Sequence, residues 1–221
     1  QDYSDNLYHE FGHEWWANKV TNKDWAHMWI QEGINTYAEA LFFREVAGEA
    51  AYDSVINIFK RSVANKKPLV QGEGINTADT YTGDIYVKGA VFMNTLRYIT
   101  GDSIFFPTLK TLATDEKYTY NNFVTTDDVE KLFSKQSGKD LKPFFDFYLR
   151  TTNKLEIVVV NTGFNQYTLQ FKNLPMDLPM DILTDAGTQH LLINKKTIKV
   201  KSSFPPVIDP RGFYLKKVVM E

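Results

Sequence analysis

The stretch His9-Glu10-Phe11-Gly12-His13 decides how the rest of this chain is read. Residues four apart lie on one face of a helix, so both imidazoles can reach one metal ion. Glu10 is rotated about 100° from His9. It is poorly placed to ligate the same ion and well placed to reach a water beside it. That pattern suits a metal-assisted hydrolase with a carboxylate general base. The plainer alternative is a surface helix carrying two solvated histidines.

The next stretch weighs against that alternative. A catalytic zinc takes three protein ligands and leaves one position open. Glu32, in Trp29-Ile30-Gln31-Glu32-Gly33-Ile34-Asn35, follows His13 after eighteen intervening residues. That length is enough to finish one helix, turn at Val20-Thr21-Asn22-Lys23 and return with a second. Helices are predicted over residues 5–18 and 24–48. The expected centre is one zinc ion per chain, on His9, His13 and Glu32. Glu10 is the expected general base, taking a proton from water. Glu39 lies seven residues after Glu32, on the same face two turns on. It reads either as a carboxylate that orients a ligating histidine or as a surface acid beside Arg44 and Glu45. His27, on a different face, reads as structural or exposed.

From His9 to Thr21 the sequence resembles the zinc helix of the M1 aminopeptidases, and Trp25 to Glu39 resembles their second helix, with the third ligand at Glu32. The gap fits this family better than the thermolysin endopeptidases. The resemblance runs to about Thr151. Glu14, Trp16, Ala17 and His27 depart from the commonest family pattern, and none of these departures removes a ligand or the base. As a bare pattern, Tyr86-Val87-Lys88-Gly89 reads as an ordinary, partly buried tyrosine. Beside the zinc motif it resembles the family's tyrosine helix, whose phenol donates a hydrogen bond to the oxyanion of the tetrahedral intermediate. Tyr81 and Glu39 also coincide with family positions.

The resemblance implies a peptide substrate and removal of amino acids from its N-terminus. Family members hold the free amine with glutamates, one of them in a Gly-x-Met-Glu-Asn segment upstream of the zinc helix. The 221 residues contain no such segment. The expectation is therefore a C-terminal fragment, weakly active or inactive by itself, whose partner is the missing N-terminal part of the same protein. Two rival readings are a thermolysin-like endopeptidase and a non-catalytic, zinc-containing interaction module. A purely structural zinc site has no use for Glu10 or Tyr86.

Composition bounds the rest. With 43% hydrophobic and 14% aromatic residues, the chain can bury a substantial core. A net charge of −2 gives no reason to expect nucleic acid or an anionic membrane as partner. No apolar run is long enough for a membrane span. Zero cysteines exclude disulfides and thiolate ligands. The compartment is left unknown.

Patterning changes once, near Thr151-Thr152-Asn153-Lys154. Before it, apolar residues recur at helical spacing; after it, short alternating or β-branched runs take over. Further helices are expected over 50–65, from an Asp84 cap to about Thr100, from Asp102 or Ser103 to Ala113, from a Thr126 cap to Gly138, and from Asp140 onward. An irregular segment, 65–83, leads to Tyr86. Strands are expected at 155–160, 166–172, 180–184, 190–194, 197–201 and 213–219. The expected architecture is a mainly α catalytic subdomain (1–152), the helical half of a thermolysin-like domain, followed by a small β-sandwich-like domain (153–221).

Overall fold

Helix α1 (Tyr3–Gly12) stands at the start of a computed structural model that describes residues 3–221. Its regular ladder stops at Gly12, short of the expected residue 18. The His13 N–H bonds to the Glu10 carbonyl at 3.3 Å and the Glu14 N–H to Phe11 at 3.2 Å, three residues back. Asn18 and Val20 then bond five residues back, to His13 and Trp15. The winding tightens and then widens, with a single α-type bond from the Trp16 N–H to the Gly12 carbonyl between, so residues 13–20 do not extend the regular ladder of α1.

Strand β1 (Thr21–Asn22) pairs in parallel with β2 (Phe123–Val124). A 3₁₀ turn over Trp25–His27 follows, capped by the Asp24 side chain on the Ala26 N–H. It feeds helix α2 (Trp29–Ala47). The first three turns of α2 are buried on most faces, including Trp29, Ile30, Ile34 and Tyr37, so this helix runs through the core rather than along it. Helix α3 (Glu49–Ser62) is amphipathic and buries Tyr52 and Ile56. A single turn, α4 (Thr77–Thr80), capped by the Asn76 side chain, interrupts the segment expected to be irregular.

Helix α5 (Gly83–Thr100) packs against α2, with Gly33 set against Gly89. A Cβ on Gly33 would lie 2.7 Å from the Gly89 Cα and 2.9 Å from the Ile85 carbonyl oxygen. Only glycine at both positions permits that approach. Asp84 was expected to cap α5 but sits inside its first turn, with Thr82 at the cap position. Its carboxylate reaches back to accept from the Ala64 and Asn65 N–H groups at 2.8 and 2.7 Å. It thereby anchors the start of the long connection at the positive end of the helix dipole.

Helices α6 (Asp102–Thr114), α7 (Thr126–Ser137) and α8 (Lys142–Leu149) complete the helical part. Thr125, one residue before the expected cap, starts α7 in a reciprocal capping box with Asp128. The aromatic stripe of α8 is core: Phe144 stacks on Phe92 with ring centroids 4.9 Å apart, and Phe92 meets Trp29 edge-on at 5.3 Å. No helix among the described residues is long and apolar enough to cross a membrane.

The chain divides into two compact units, Gln1–Thr152 and Asn153–Glu221. The second is all β. Strands β3 (Leu155–Gly163), β4 (Gln166–Lys172), β5 (Leu178–Thr184), β6 (Gly187–Ile193), β7 (Thr197–Lys201), β8 (Val207–Ile208) and β9 (Lys216–Met220) form two sheets, ordered β7-β4-β3-β9 and β6-β5-β8. Alternation along β4 buries Tyr167, Leu169 and Phe171 and exposes Gln166, Gln170 and Lys172. The two-residue β8 was too short to be read from the sequence. The expected 213–219 strand is shifted to Lys216–Met220, because Phe213 and Tyr214 give their N–H groups to the buried Asp209 carboxylate. The fold is thus a mainly helical unit followed by a small β unit.

Candidate metal centre

His9 comes from the last turn of α1, His13 from the tightened turn just after it, and Glu32 from the first turn of α2. One ligand atom from each lies within 4.8 Å of the other two. The Glu32 Oε2 stands 3.3 Å from His9 Nε2 and 3.5 Å from His13 Nε2. It is buried, and no hydrogen-bond donor is aligned to it.

The other end of each side chain is tied. His9 Nδ1 and the Glu39 Oε1 are 2.6 Å apart. His13 Nδ1 donates to the Trp16 carbonyl at 3.0 Å. The Glu32 Oε1 accepts from the Tyr81 hydroxyl at 2.8 Å. With both Nδ1 atoms engaged as donors, both Nε2 atoms are turned toward the Glu32 Oε2. Two imidazole nitrogens and one carboxylate oxygen, converging with their outer atoms anchored, fit the donor set of an open-site zinc ion.

Electrostatics fit the same reading. The Glu32 and Glu39 carboxylates beside His9 push its imidazole up to about 9. In the metal-free protein a proton therefore sits where the ligand lone pair is needed. Burial pushes the Glu32 carboxyl up, but His9, the Tyr81 hydrogen bond and the His13 charge outweigh it, so the net shift is downward.

Tyr86 lies in the first turn of α5, with its ring 5.9 Å from that of His9. Burial, the Tyr81 hydrogen bond and the Glu32 charge raise its phenol well above the ordinary value. It stays protonated and remains a donor. Here its hydroxyl donates to the Tyr81 hydroxyl at 2.9 Å. The chain of donors runs Tyr86 to Tyr81 to Glu32. Glu10 is exposed, and its charge is felt at the Tyr81 phenol. Glu39 is half-buried against His9 rather than free on the surface. His27 is buried, 5% exposed, and accepts at Nδ1 from Thr126, away from the cluster. A cleft of about 300 Å³ is lined by Asn22, Lys23, Asp24, Trp25, Met28 and Gln31; Gln31 precedes Glu32 on α2, and the Trp25 ring meets that of Tyr81 at 6.1 Å.

Residues 1–148 match the peptidase family M1 domain. The chain belongs to family M1. Among M1 relatives, mouse aminopeptidase B is 28% identical over 162 residues, covering 65% of this chain and 25% of the mouse protein. Aminopeptidase N of Lactococcus lactis is 30% identical over 154 residues, covering 64% of this chain and 18% of the relative. Legionella pneumophila aminopeptidase A, solved with aspartic acid, superposes with a TM-score of 0.75 at 22% identity, over 98% of this chain and 26% of that one. An M1 zinc metallopeptidase mutant from Deinococcus radiodurans, bound to a Tyr-Ser-Ala substrate, gives 0.58 at 23% identity, over 67% of this chain and 33% of that one. The chain spans a quarter or less of the length of these curated relatives.

Two features of the centre left no trace in the sequence reading: the Trp16 carbonyl that orients His13, and the Asn35 side chain that touches α1. The first is a backbone group, and the second sits at an ordinary core position of α2.

Proposed function

We propose that the chain carries the zinc centre of a metallopeptidase that removes N-terminal amino acids from peptides. The observation that supports this best is the buried, unbonded Glu32 Oε2 facing two imidazole Nε2 atoms. His9, His13 and Glu32 are the proposed ligands. When bound there, zinc supplies Lewis acidity to a carbonyl and to water. Glu39 holds His9 through Nδ1 and keeps Nε2 directed inward. Glu10, one residue from His9 and open to solvent, takes the proton from water and returns it to the leaving amine. Tyr86 turns its hydroxyl from Tyr81 toward the oxyanion as charge develops there. The cavity beside Trp25, Met28 and Gln31 offers an apolar wall with polar edges for a substrate side chain. The exopeptidase assignment rests on the family, and no described residue is given the role of holding the substrate's amine.

The test uses Glu10→Gln and His13→Ala. Glu10→Gln is expected to keep about one zinc per chain, while in the full-length parent it lowers turnover of an aminoacyl-arylamide by about 10²–10⁴-fold. His13→Ala is expected to lose the metal. Full activity in Glu10→Gln would refute the base, and full zinc content in His13→Ala would refute the ligand set.

A further inference from the structure

Asn35 lies three residues after Glu32 on α2, hence on the same side of the helix. It is buried, and its Nδ2 donates to the His9 carbonyl at 2.7 Å. A regular α-helix would give that carbonyl the His13 N–H. Here the His13 N–H is aligned to Glu10 instead. The Asn35 amide thus supplies a donor to the His9 carbonyl where α1 tightens between the two histidines.

The same carboxamide occupies the space beside Gly12. A Cβ on Gly12 would fall 1.8 Å from the Asn35 Oδ1 and 2.9 Å from its Cγ. Asn35 is only 1% exposed, so its side chain has no free volume into which to retreat. Glycine at position 12 and asparagine at position 35 are therefore complementary: one leaves the gap and the other fills it.

We propose that Asn35 and Gly12 form a coupled positioning pair that sets the spacing of His9 and His13 and so tunes the metal centre. The pair touches neither metal nor substrate in this reading. It acts by fixing the turn between the ligands and by tying that turn to the helix that carries Glu32. This rests on the assignment of His9, His13 and Glu32 as the zinc ligands.

The experiment measures zinc affinity by chelator competition, the visible spectrum of the cobalt(II)-substituted protein, and thermal stability of the metal-free protein. The variants are Gly12→Ala, Asn35→Ala, Asn35→Asp and Gly12→Ala with Asn35→Ala. Asn35→Asp keeps the shape and removes the donor, and it keeps the proposal testable if Asn35→Ala fails to fold. Each single substitution is expected to weaken zinc binding about 10–100-fold and to shift the cobalt spectrum. The double variant is expected to bind zinc no more weakly than Asn35→Ala, because the alanine at position 12 then meets no amide. Single variants that lose stability but keep wild-type affinity and cobalt spectrum would overturn the proposal while leaving the zinc site intact. Fully additive losses in the double variant would also overturn it. A wild-type protein that binds no zinc would overturn the ligand assignment and the pair's role with it.

Discussion

Gly33 and Gly89 leave no room between them for a methyl group: a Cβ on Gly89 would lie 2.7 Å from the Gly33 Cα. The contact falls one residue after Glu32 on α2 and three residues after Tyr86 on α5. The distance between the carboxylate and the tyrosine is thus set by backbone touching backbone.

An alanine at either glycine must push the two helices apart. Gly89→Ala is expected to cost about 1–3 kcal/mol by overpacking, seen as a lower denaturant midpoint. It should also weaken zinc binding, because Tyr81 and Glu32 are held across the same junction. Unchanged stability and zinc affinity would show that the junction yields without strain.

Zinc binding is expected to release a proton at neutral pH. The His9 imidazole is raised above its ordinary value, so its protonated, paired form stabilises the metal-free fold. That contribution is full below about 6.5 and is lost as pH rises through about 9. Zinc affinity should therefore climb across this window. Calorimetric titrations in buffers of different ionisation enthalpy would report the released proton. Glu39→Gln removes one of the two carboxylates and should shift the rise to lower pH.

Tyr81→Phe and Tyr86→Phe are expected to separate two tasks. The first strips the donor from the Glu32 Oε1 and should weaken zinc binding roughly tenfold. The second leaves that bond in place and should keep zinc while cutting kcat of the full-length parent by about 10²–10³-fold. Equal zinc affinities in both variants would remove Tyr81 from the centre.

His27 is expected to contribute to the acid limb of stability. Burial first, and then the Arg150 charge, lower its imidazole below the ordinary value. Its Nδ1 accepts from Thr126 at the start of α7, which only the neutral ring can do. The contribution is present above about 6.5 and is lost as pH falls through the depressed value. His27→Gln should flatten the loss of melting temperature between neutral and mildly acidic pH, and an unchanged slope would refute this.

Part of the grouping at the centre was legible because some of its spacings are local. His9 and His13 are one turn apart, and Glu39 is two turns from Glu32. The helical-then-β order was legible from the change in patterning near Thr151. What escaped was tertiary. The amide that donates to the His9 carbonyl near the stop of α1 lies far along the chain, at Asn35, and helical periodicity cannot report it. Asp84 looked like a cap because its type and place fit one, yet Ala64 and Asn65 claim its carboxylate. Tyr81 was visible only as a coincidence with a family position. Its hold on Glu32 came from the path of the 65–83 connection, and no spacing rule describes that path.

Helix α2 carries three of the groups that converge on α1: Glu32, the Asn35 amide and the Glu39 carboxylate. They ride on a single rod. A slide or roll of that rod would withdraw a proposed ligand, the anchor of His9 Nδ1 and the brace on the His9 carbonyl in one movement. In the proposed centre, metal occupancy and the seating of α2 would be coupled, with zinc as a bolt that locks the helix home.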